Sequence, residues 1–356
     1  ADTDLPLYVY VDGRLRRVPF SIEEFVSTDL LSVRGKLRLL AEPLTEGARD
    51  GETAADYFVR KFGPEAYHNL VEPLFGGIYG SDPAEMPGEY ALRTVKKMER
   101  SGSLIRAAVN RRLEGKGREA PVSFDDGMAQ LPRALYEHNA DRVALETAVD
   151  RIVPEGTGYR LETEDGSHRV DHVVVTVRAD VAAGLLADVD ADSARALRRL
   201  YYNPLAYVHL HSAAAPAGYG YQVRHDEPLR TLGVTWNASL FDRDGVYTCF
   251  LGGMKNPGLV DRPERELGRI ASQEFEAVMD AEAEVVNVTR YPRGIPAYDG
   301  SWTAMADVDL PDGITLASNY AGRMGVPARV REAKRLAERF AGDDVGADAP
   351  LAEATG

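Results

Sequence analysis

The sequence lacks most features that mark a metal site, a disulfide framework or a membrane span. It has a single cysteine, Cys249, so neither an intrachain disulfide nor a cysteine metal cluster can form. No apolar run reaches the roughly 18 residues that a spanning helix needs. Among the 7 histidines there is one H-x-x-x-H pair, His168 and His172. It lies in a segment with strand periodicity, where positions four apart are separated by about 13 Å and cannot share one metal ion. We therefore expect no metal site and no Ser-His-Asp triad.

Two further patterns are missing near the beginning of the chain. No G-x-G-x-x-G turn follows a strand there, so the usual opening of a dinucleotide-binding domain is absent. The first residues, ADTDLPLYVY, lack the basic-then-apolar pattern of a secretory signal. The second absence favours a cytoplasmic protein.

Lysine is scarce, since only 7 of the 42 basic residues are lysine, and the net charge is −14. An acidic, lysine-poor composition is typical of a salt-adapted organism or of a GC-rich genome, and the sequence does not separate the two. No basic cluster is dense enough to release phosphate counterions. This balance argues against nucleic acid as a partner.

What the chain does contain is a series of strand and helix patterns. LYVYVDGRLRRVP at 7–19 predicts a hairpin that turns at Asp12-Gly13. A helical block follows, and its first segment, SIEEF, places Ser21 and Glu24 at the spacing of a capping box. With strands alternating with helices afterwards, this order predicts a mixed α/β fold.

Four other segments give local predictions. In the helical block, a helix is expected to end at Pro73 and Gly76-Gly77. VVVTV at 173–177 is a continuous apolar run, which is typical of a strand covered on both faces of a sheet. ERELGRIASQEFEAVM at 264–279 has helical periodicity. The last residues, 341–356, are small and acidic and predict a disordered tail.

Five segments in chain order resemble a known family. They are FVRKFGPEAYHNLVEPLFGGIYGSDPAEM, SFDDGMAQLPRAL, the pair GVTWNASLFDRDG and CFLGG, IPAYDGSW, and ASNYAGRMGVP. Together they resemble the protoporphyrinogen and coproporphyrinogen oxidases, flavin-dependent enzymes of haem synthesis in the amine oxidase superfamily. The resemblance implies an FAD/NAD(P)-binding-like flavoprotein fold with a mixed-sheet substrate domain and a helical insertion, here without the N-terminal βαβ unit.

The same resemblance implies a division of the chain into functional parts. These are a substrate-domain hairpin at 1–20, a helical insertion at 21–120, FAD-domain parts at 121–200 and 296–340, a substrate domain at 201–295, and the tail at 341–356.

The segment SNYAGRMGVPARV at 318–330 lies between a strand-like run and an amphipathic helix. Its glycines let backbone N–H groups approach a ligand without a Cβ clash, and a helix start aims its positive end at that ligand. In the family this turn holds the flavin. The resemblance implies that FAD contacts Asn319, Gly322, Met324, Gly325 and Val326, with a plain strand-to-helix turn as the alternative.

Two more cofactor contacts are implied. ALETAVDRIV resembles the strand pair that reaches the adenine half of FAD through its backbone, around Val149. Trp302 and Tyr298 stand where family aromatics flank the flavin region. The alternative for Val149 is an ordinary core residue. The alternative for Trp302 and Tyr298 is that they line the protein wall without stacking on the ring.

Six positions are implied to line a porphyrin cavity. Apolar walls suit the face of a tetrapyrrole, and ordinary core packing is the alternative for each. The positions are Gly76, Gly77, Trp236, Leu240, Phe250 and Leu251.

The activity implied is oxidation of a porphyrinogen to the porphyrin, with hydride passing to flavin N5. Six electrons leave in three cycles, O₂ is the acceptor and hydrogen peroxide is the product. No acidic or basic catalytic residue is expected. The alternatives are another amine oxidase or carotenoid desaturase-type flavoprotein, and a non-catalytic remnant that does not bind FAD.

The expected partners are the tetrapyrrole substrate and O₂. The helical insertion of the family often touches a membrane, so peripheral membrane contact stays open, as does a homodimer. The charge of −14 argues against firm attachment to anionic headgroups.

The chain departs from the family in three places, one of which is Pro6-Leu7, where the family often has an Arg or Lys placed to meet a propionate of the substrate. The glycine-rich phosphate turn is absent, which leaves three explanations open: the sequence lacks its N-terminal portion, a separate chain supplies it, or the protein does not bind flavin. The flavin turn is also one residue longer than in relatives, and the residue Arg323 places a cation in it.

Overall fold

The structure is a computed structural model that describes residues 5–99, 102–113, 121–322 and 324–342. The chain divides into two units, each assembled from separated stretches: 1–127 with 202–300, and 128–201 with 301–356. Both contain helices and sheets, so the predicted mixed α/β fold is confirmed. The cofactor and substrate roles of the chain segments stay predictions.

The described residues form twelve strands and fourteen α-helices. The strands are β1 (Leu7–Val11), β2 (Arg14–Arg17), β3 (Val149–Glu155), β4 (Gly158–Thr163), β5 (Gly166–Val170), β6 (Val173–Val175), β7 (Tyr202–His211), β8 (Gly220–Val223), β9 (Thr231–Thr235), β10 (Val246–Gly252), β11 (Glu284–Pro296) and β12 (Ile314–Leu316). The helices are α1 (Ile22–Ser27), α2 (Val33–Leu40), α3 (Ala54–Phe62), α4 (Pro64–Ala66), α5 (Glu72–Tyr79), α6 (Gly88–Ala91), α7 (Arg93–Glu99), α8 (Leu104–Leu113), α9 (Gln130–Asn139), α10 (Ala179–Leu185), α11 (Ala191–Leu197), α12 (Asn237–Phe241), α13 (Glu264–Met279) and α14 (Val326–Phe340).

A seven-stranded mixed sheet forms the centre of the first unit, in the order β11-β7-β10-β9-β8-β1-β2. β1 and β8 run parallel, and the other neighbouring strands run antiparallel. The hairpin of β1 and β2 forms as predicted. Asp12 and Gly13 both have positive φ, 51° and 74°, which is the turn geometry whose twist matches paired strands.

One face of this sheet carries the hydrophobic core of the first unit. Tyr247, Cys249 and Leu251 alternate along β10 and have no exposed surface. They belong to one cluster with Phe275 and other residues of α13, and the rings of Tyr247 and Phe275 lie 4.9 Å apart. The helix predicted at 264–279 is therefore confirmed, and it closes this face of the sheet.

The helices of the first unit confirm one local prediction and correct another. Ser21 caps α1 and Glu24 completes the capping box. The predicted stop at Pro73 and at Gly76-Gly77 is wrong. Pro73 lies in the first turn of α5, where a missing N–H is tolerated, and α5 runs through both glycines and ends where Gly80 adopts a left-handed conformation with φ 60°.

The second unit holds a three-stranded antiparallel sheet, β3-β4-β5, and a two-stranded parallel sheet, β6-β12. The prediction that VVVTV is covered on both faces is wrong for Val174, which is 38% exposed. The physical reason is that the described part of the chain supplies only β12 as a neighbour for β6.

The last two expectations concern the carboxyl-terminal tail and a membrane-spanning helix. Of the tail predicted at 341–356, residues 343–356 lie outside the described part. Among the described residues, no helix has the length and apolar character to cross a membrane.

Candidate functional site

The segment singled out near the carboxyl end forms a strand, a turn and a helix in the second unit. β12 pairs in parallel with β6, and the pairing continues past the strand end because Ala317 N donates to Val175 O at 2.9 Å. Ala321 N then donates to Ser318 O at 3.1 Å and turns the chain. The turn thus follows the carboxyl ends of parallel strands, the edge at which open α/β sheets bind ligands.

The helix α14 begins without a cap from any side chain. Gly325 precedes it with φ 99° and ψ 147°, a backbone conformation that a side chain strains. Its carbonyl accepts from Ala328 N at 3.1 Å and from Arg329 N at 3.2 Å. No acidic residue stands in the first turn, so the positive end of this helix keeps its full partial charge.

Gly322 lies against a partly buried ion pair. A Cβ at this position would lie 2.7 Å from Arg329 Nη2 and 3.3 Å from Glu332 Oε1. Arg329 and Glu332 form an ion pair on α14, and Glu332 is only 7% exposed. Burial raises the pKa of Glu332, which the nearby Arg329 and Arg335 partly oppose. A side chain at position 322 would therefore displace the Arg329 guanidinium.

The other residues predicted to contact the cofactor lie in this turn or earlier in the second unit. Asn319 and Met324 are half-buried in the turn, and Val326 is 42% exposed at the helix start. Trp302 lies in a 3₁₀ helix, Gly300–Asp307, and is largely buried. Arg323, the cation expected in the turn, lies outside the described residues.

Val149 begins β3 beside a concave surface of about 270 Å³. It pairs with Thr163 of β4, and a bulge follows before Arg151. The concavity is lined by Glu146, Thr147, Ala148, Asp150, Thr163, Glu164 and Asp165. Four of these seven residues are acidic, so the site suits hydroxyl and amino donors and disfavours a phosphate.

The six positions expected to face a macrocycle fall on two faces of the seven-stranded sheet. Trp236 is 2% exposed and packs its ring 5.3 Å from Tyr8, in the same core cluster as Leu251. Leu240 is buried in α12. Phe250 alternates with Leu251 on β10 and lies on the opposite face. The structure does not bring these residues together, because Trp236 and Leu251 are part of the closed core.

Gly76 and Gly77 lie on α5, which packs on β8 and β9. A Cβ at position 77 would lie 1.6 Å from Gln222 Oε1, while at position 76 the nearest atom would be Ser81 O at 3.9 Å. Gln222 also approaches Gly233 of β9, where a Cβ would lie 2.4 Å from the same oxygen. A side chain at position 77 would therefore displace the Gln222 amide, whereas position 76 has room for a side chain.

Two aromatic neighbours of Phe250 were not predicted as site residues from the sequence. Tyr207 of β7 is the cross-strand partner of Phe250, and their ring centroids lie 5.1 Å apart. Tyr291 of β11 follows at 5.2 Å from Tyr207. Strand alternation gives the face of each residue, but no local pattern shows which strands are neighbours. Tyr298, which is expected near the cofactor, packs its ring 5.6 Å from Tyr79.

The geometry can now be set beside known proteins. Residues 3–339 match the family described as flavin containing amine oxidoreductase. The chain belongs to that family. The strand, turn and uncapped helix start are accordingly features of a flavin amine oxidoreductase.

The relatives of this amine oxidoreductase include porphyrinogen oxidases. It is 27% identical to protoporphyrinogen oxidase 1 of Spinacia oleracea chloroplasts over 91% of the chain, and 27% identical to that of Arabidopsis thaliana over 83%. Coproporphyrinogen III oxidase of Bacillus subtilis is 24% identical over 80% of the chain. The chain spans 65%, 63% and 66% of the lengths of these three relatives.

Two solved structures show the shared fold. One is a protein from Exiguobacterium sp. 255-15 with the provisional name protoporphyrinogen oxidase, with a TM-score of 0.77 and 23% identity over 94% of this chain and 80% of that one. The other is cyclohexylamine oxidase from Brevibacterium oxydans IH-35A, with a TM-score of 0.62 and 16% identity over 95% and 81%. At these identities the likeness concerns the fold alone.

The residues of the second unit fit part of a flavin dinucleotide. The uncapped start of α14 suits the pyrimidine edge of the ring, which becomes electron-rich on reduction. The acidic concavity beside Val149 suits an adenosine through its amino and hydroxyl donors. Neither feature provides a set of N–H donors for a pyrophosphate, and the side of Gly322 is filled by Arg329.

Proposed function

We propose that this flavin amine oxidoreductase oxidises a porphyrinogen to the porphyrin, with FAD as cofactor and O₂ as electron acceptor. The observation that carries the proposal is the similarity to relatives named porphyrinogen oxidases, which extends over 91% of the chain and includes the helical block. Because the chain spans under two thirds of the first relatives, the activity proposed is that of the complete protein.

The chain's own residues have simple tasks in this reaction. When bound, the flavin supplies two-electron chemistry, so three cycles with three O₂ remove six electrons and yield three hydrogen peroxide. Gly325 and Val326 would present the helix start to the ring, and Asn319 and Met324 would border it. The backbone at Val149 would meet the adenine.

The test is to purify the full-length protein, record its visible spectrum, and supply protoporphyrinogen IX, coproporphyrinogen III and benzylamine in turn. We expect flavin absorbance, and porphyrin fluorescence that rises with O₂ consumption from one or both porphyrinogens. A reaction without protein measures spontaneous oxidation. A protein that oxidises only the amine, or that takes up no flavin, contradicts the proposal.

We also propose that the helical block touches a lipid bilayer. α2 carries Val33, Leu37 and Leu40 at helical spacing, and their exposed fractions are 76%, 64% and 54%. Leu44, just beyond, is 90% exposed. A helix of a soluble domain normally turns such a stripe toward the core, so this outward stripe suits an apolar neighbour.

α1 extends the same outward character. Ile22 and Val26 stand four residues apart and are 76% and 68% exposed. Lys36 of α2 donates through Nζ to Val26 O at 2.7 Å, which links the two helices and places a cation beside the apolar side chains. We call the six residues Ile22, Val26, Val33, Leu37, Leu40 and Leu44 the outer stripe.

A further inference from the structure

We infer that Arg329 of α14 is a fixed cation that stabilises the reduced form of the flavin, and that Glu332 opposes part of its charge. The inference rests on the proposed function, under which FAD meets the turn before α14. The motif that resembles the family in this region, ASNYAGRMGVP, ends at Pro327, so it includes neither residue. We call Arg329 and Glu332 the turn ion pair.

The first argument is the position of the Arg329 side chain. The backbone N–H of Arg329 donates to Gly325 O at 3.2 Å, so the residue closes the first turn of α14. Long side chains on a helix lean toward its N-terminus. The Arg329 guanidinium follows this direction, because its Nη2 atom would lie only 2.7 Å from a Cβ at position 322. The cation therefore rests against the turn that precedes the helix.

The second argument is that the cation is held in place. Glu332 follows Arg329 by three residues, which is the spacing of neighbours on one helix face, and the two side chains form an ion pair. The side chains of Arg329 and Glu332 are 28% and 9% exposed. Charges that are partly buried are screened by salt much less than charges at the surface. The turn ion pair can therefore act on a neighbouring group at physiological ionic strength.

The third argument is the sign of the two charges. The first turn of α14 has no acidic residue, and Arg329 adds a full positive charge to the partial charge of the helix start. A flavin ring gains electron density on reduction, so a nearby cation favours its reduced form over its oxidised form. The Glu332 carboxylate acts in the opposite sense. Removing the arginine and removing the carboxylate should therefore shift the reduction potential in opposite directions, which loss of packing alone would not do.

The test measures the two-electron midpoint potential of the flavin in the full-length protein, by equilibration with a reference dye. Arg329→Gln should lower the potential by about 30 mV, the shift that corresponds to about a tenfold change in a two-electron equilibrium. Glu332→Gln should raise the potential, because the cation then lacks its opposing charge. Arg329→Lys keeps the positive charge and should have a potential close to that of the wild type.

Arg331→Gln is the matched control, because Arg331 is exposed on the same helix and its loss changes the net charge equally. Its potential should equal that of the wild type, since solvent and salt screen an exposed charge. Circular dichroism checks that every variant is folded. The double variant Arg329→Gln/Glu332→Gln leaves no buried carboxylate without its cation, and its potential should lie below that of Glu332→Gln. This second comparison measures the effect of the arginine even if Arg329→Gln does not fold.

The inference is wrong if removal of the arginine does not lower the potential, or if Glu332→Gln does not raise it. The turn ion pair would then serve only the packing of the turn, and the proposed function would stand. Potential shifts of the expected signs in a protein that oxidises no porphyrinogen would support the inference and contradict the proposed function. A full-length protein that takes up no flavin overturns both.

Discussion

At the scale of single residues, the first unit contains a fully buried lysine with two carboxylate partners. Lys61 Nζ lies 2.8 Å from Glu42 Oε1 and 2.7 Å from Glu99 Oε1, and Lys61 and Glu42 have no exposed surface. Buried charges are tolerated when each is paired and hydrogen-bonded, and Ser103 donates a further bond to Glu42. The stability of the helical block therefore depends on one ammonium group.

Replacing Lys61 tests this dependence. Lys61→Met leaves Glu42 and Glu99 without their cation, and we expect the free energy of unfolding to fall by about 3–5 kcal/mol. The matched control is Arg49→Met, which breaks an exposed pair with Glu46 and should leave the free energy of unfolding nearly unchanged. Denaturant titration measures both. An equal loss of unfolding free energy in the two variants would show that the buried ion pairs stabilise the protein no more than the exposed pair does.

The same cluster predicts a pH dependence. Burial by itself raises the pKa of Glu42, but hydrogen bonds from Lys61, Ser103 and two backbone N–H groups outweigh it and lower the pKa below its ordinary 4.5. A lowered pKa in the folded state stabilises the protein above about pH 4.5, and this stabilisation is lost as the pH falls through the folded value. We expect the denaturation midpoint to fall on acidification below pH 4.5, with a shallower fall in Glu42→Gln. Parallel curves for the two proteins would contradict this assignment.

At the scale of elements, the two adjacent glycines of α5 differ in what surrounds them. Alanine is favoured over glycine inside a helix by about 1 kcal/mol, and position 76 has room for it. Position 77 has no room for an alanine side chain, because the Gln222 amide occupies the place of the Cβ. Gly76→Ala should therefore raise the free energy of unfolding, and Gly77→Ala should lower it by about 1–3 kcal/mol through overpacking.

A double variant identifies the cause. In a Gln222→Ala background the amide is gone, so Gly77→Ala should become neutral or stabilising. A destabilisation that is independent of position 222 would place the clash elsewhere.

Glycine at the start of α14 is required by backbone conformation alone. Gly325 has φ 99° and open space around it, so Gly325→Ala should lower the free energy of unfolding by about 1–2 kcal/mol through strain. Gly184, exposed in α10 of the same unit, also has open space but no positive φ. Gly184→Ala should raise stability by about 0.5–1 kcal/mol. Thermal unfolding distinguishes them, and shifts of the same sign would contradict the assignment.

At the scale of the whole molecule, the outer stripe predicts binding to vesicles. We expect the wild type to sediment with phosphatidylcholine vesicles, and less with anionic vesicles because the net charge is −14. The variant Val33→Ser/Leu37→Ser should bind about tenfold more weakly, since apolar burial supplies the affinity. Val286→Ser, a 64% exposed valine on β11, is the control and should bind like the wild type. Sedimentation that is equal for all three proteins would rule out the stripe as the contact.

The sequence predicted features whose cause lies within a few residues. The turn at Asp12-Gly13, the capping box at Ser21 and the helix at 264–279 all depend on neighbours in the chain, and all three formed. The order of motifs also identified the family. The predicted helix stop at Gly76-Gly77 was wrong because the packing of α5 on β8 and β9, which stabilises the helix, involves residues far away in the chain.

What only the tertiary structure decided is which side chains share a surface. Phe250 and Leu251 are adjacent in the sequence, yet the pleat of β10 places Phe250 against Tyr207 on one face and Leu251 in the core on the other. The partner of Phe250, Tyr207, is distant in the chain, and strand pairing alone brings them together. Turns and caps are stabilised by local backbone geometry, whereas a binding surface arises from contacts between distant segments, which the sequence order does not encode directly.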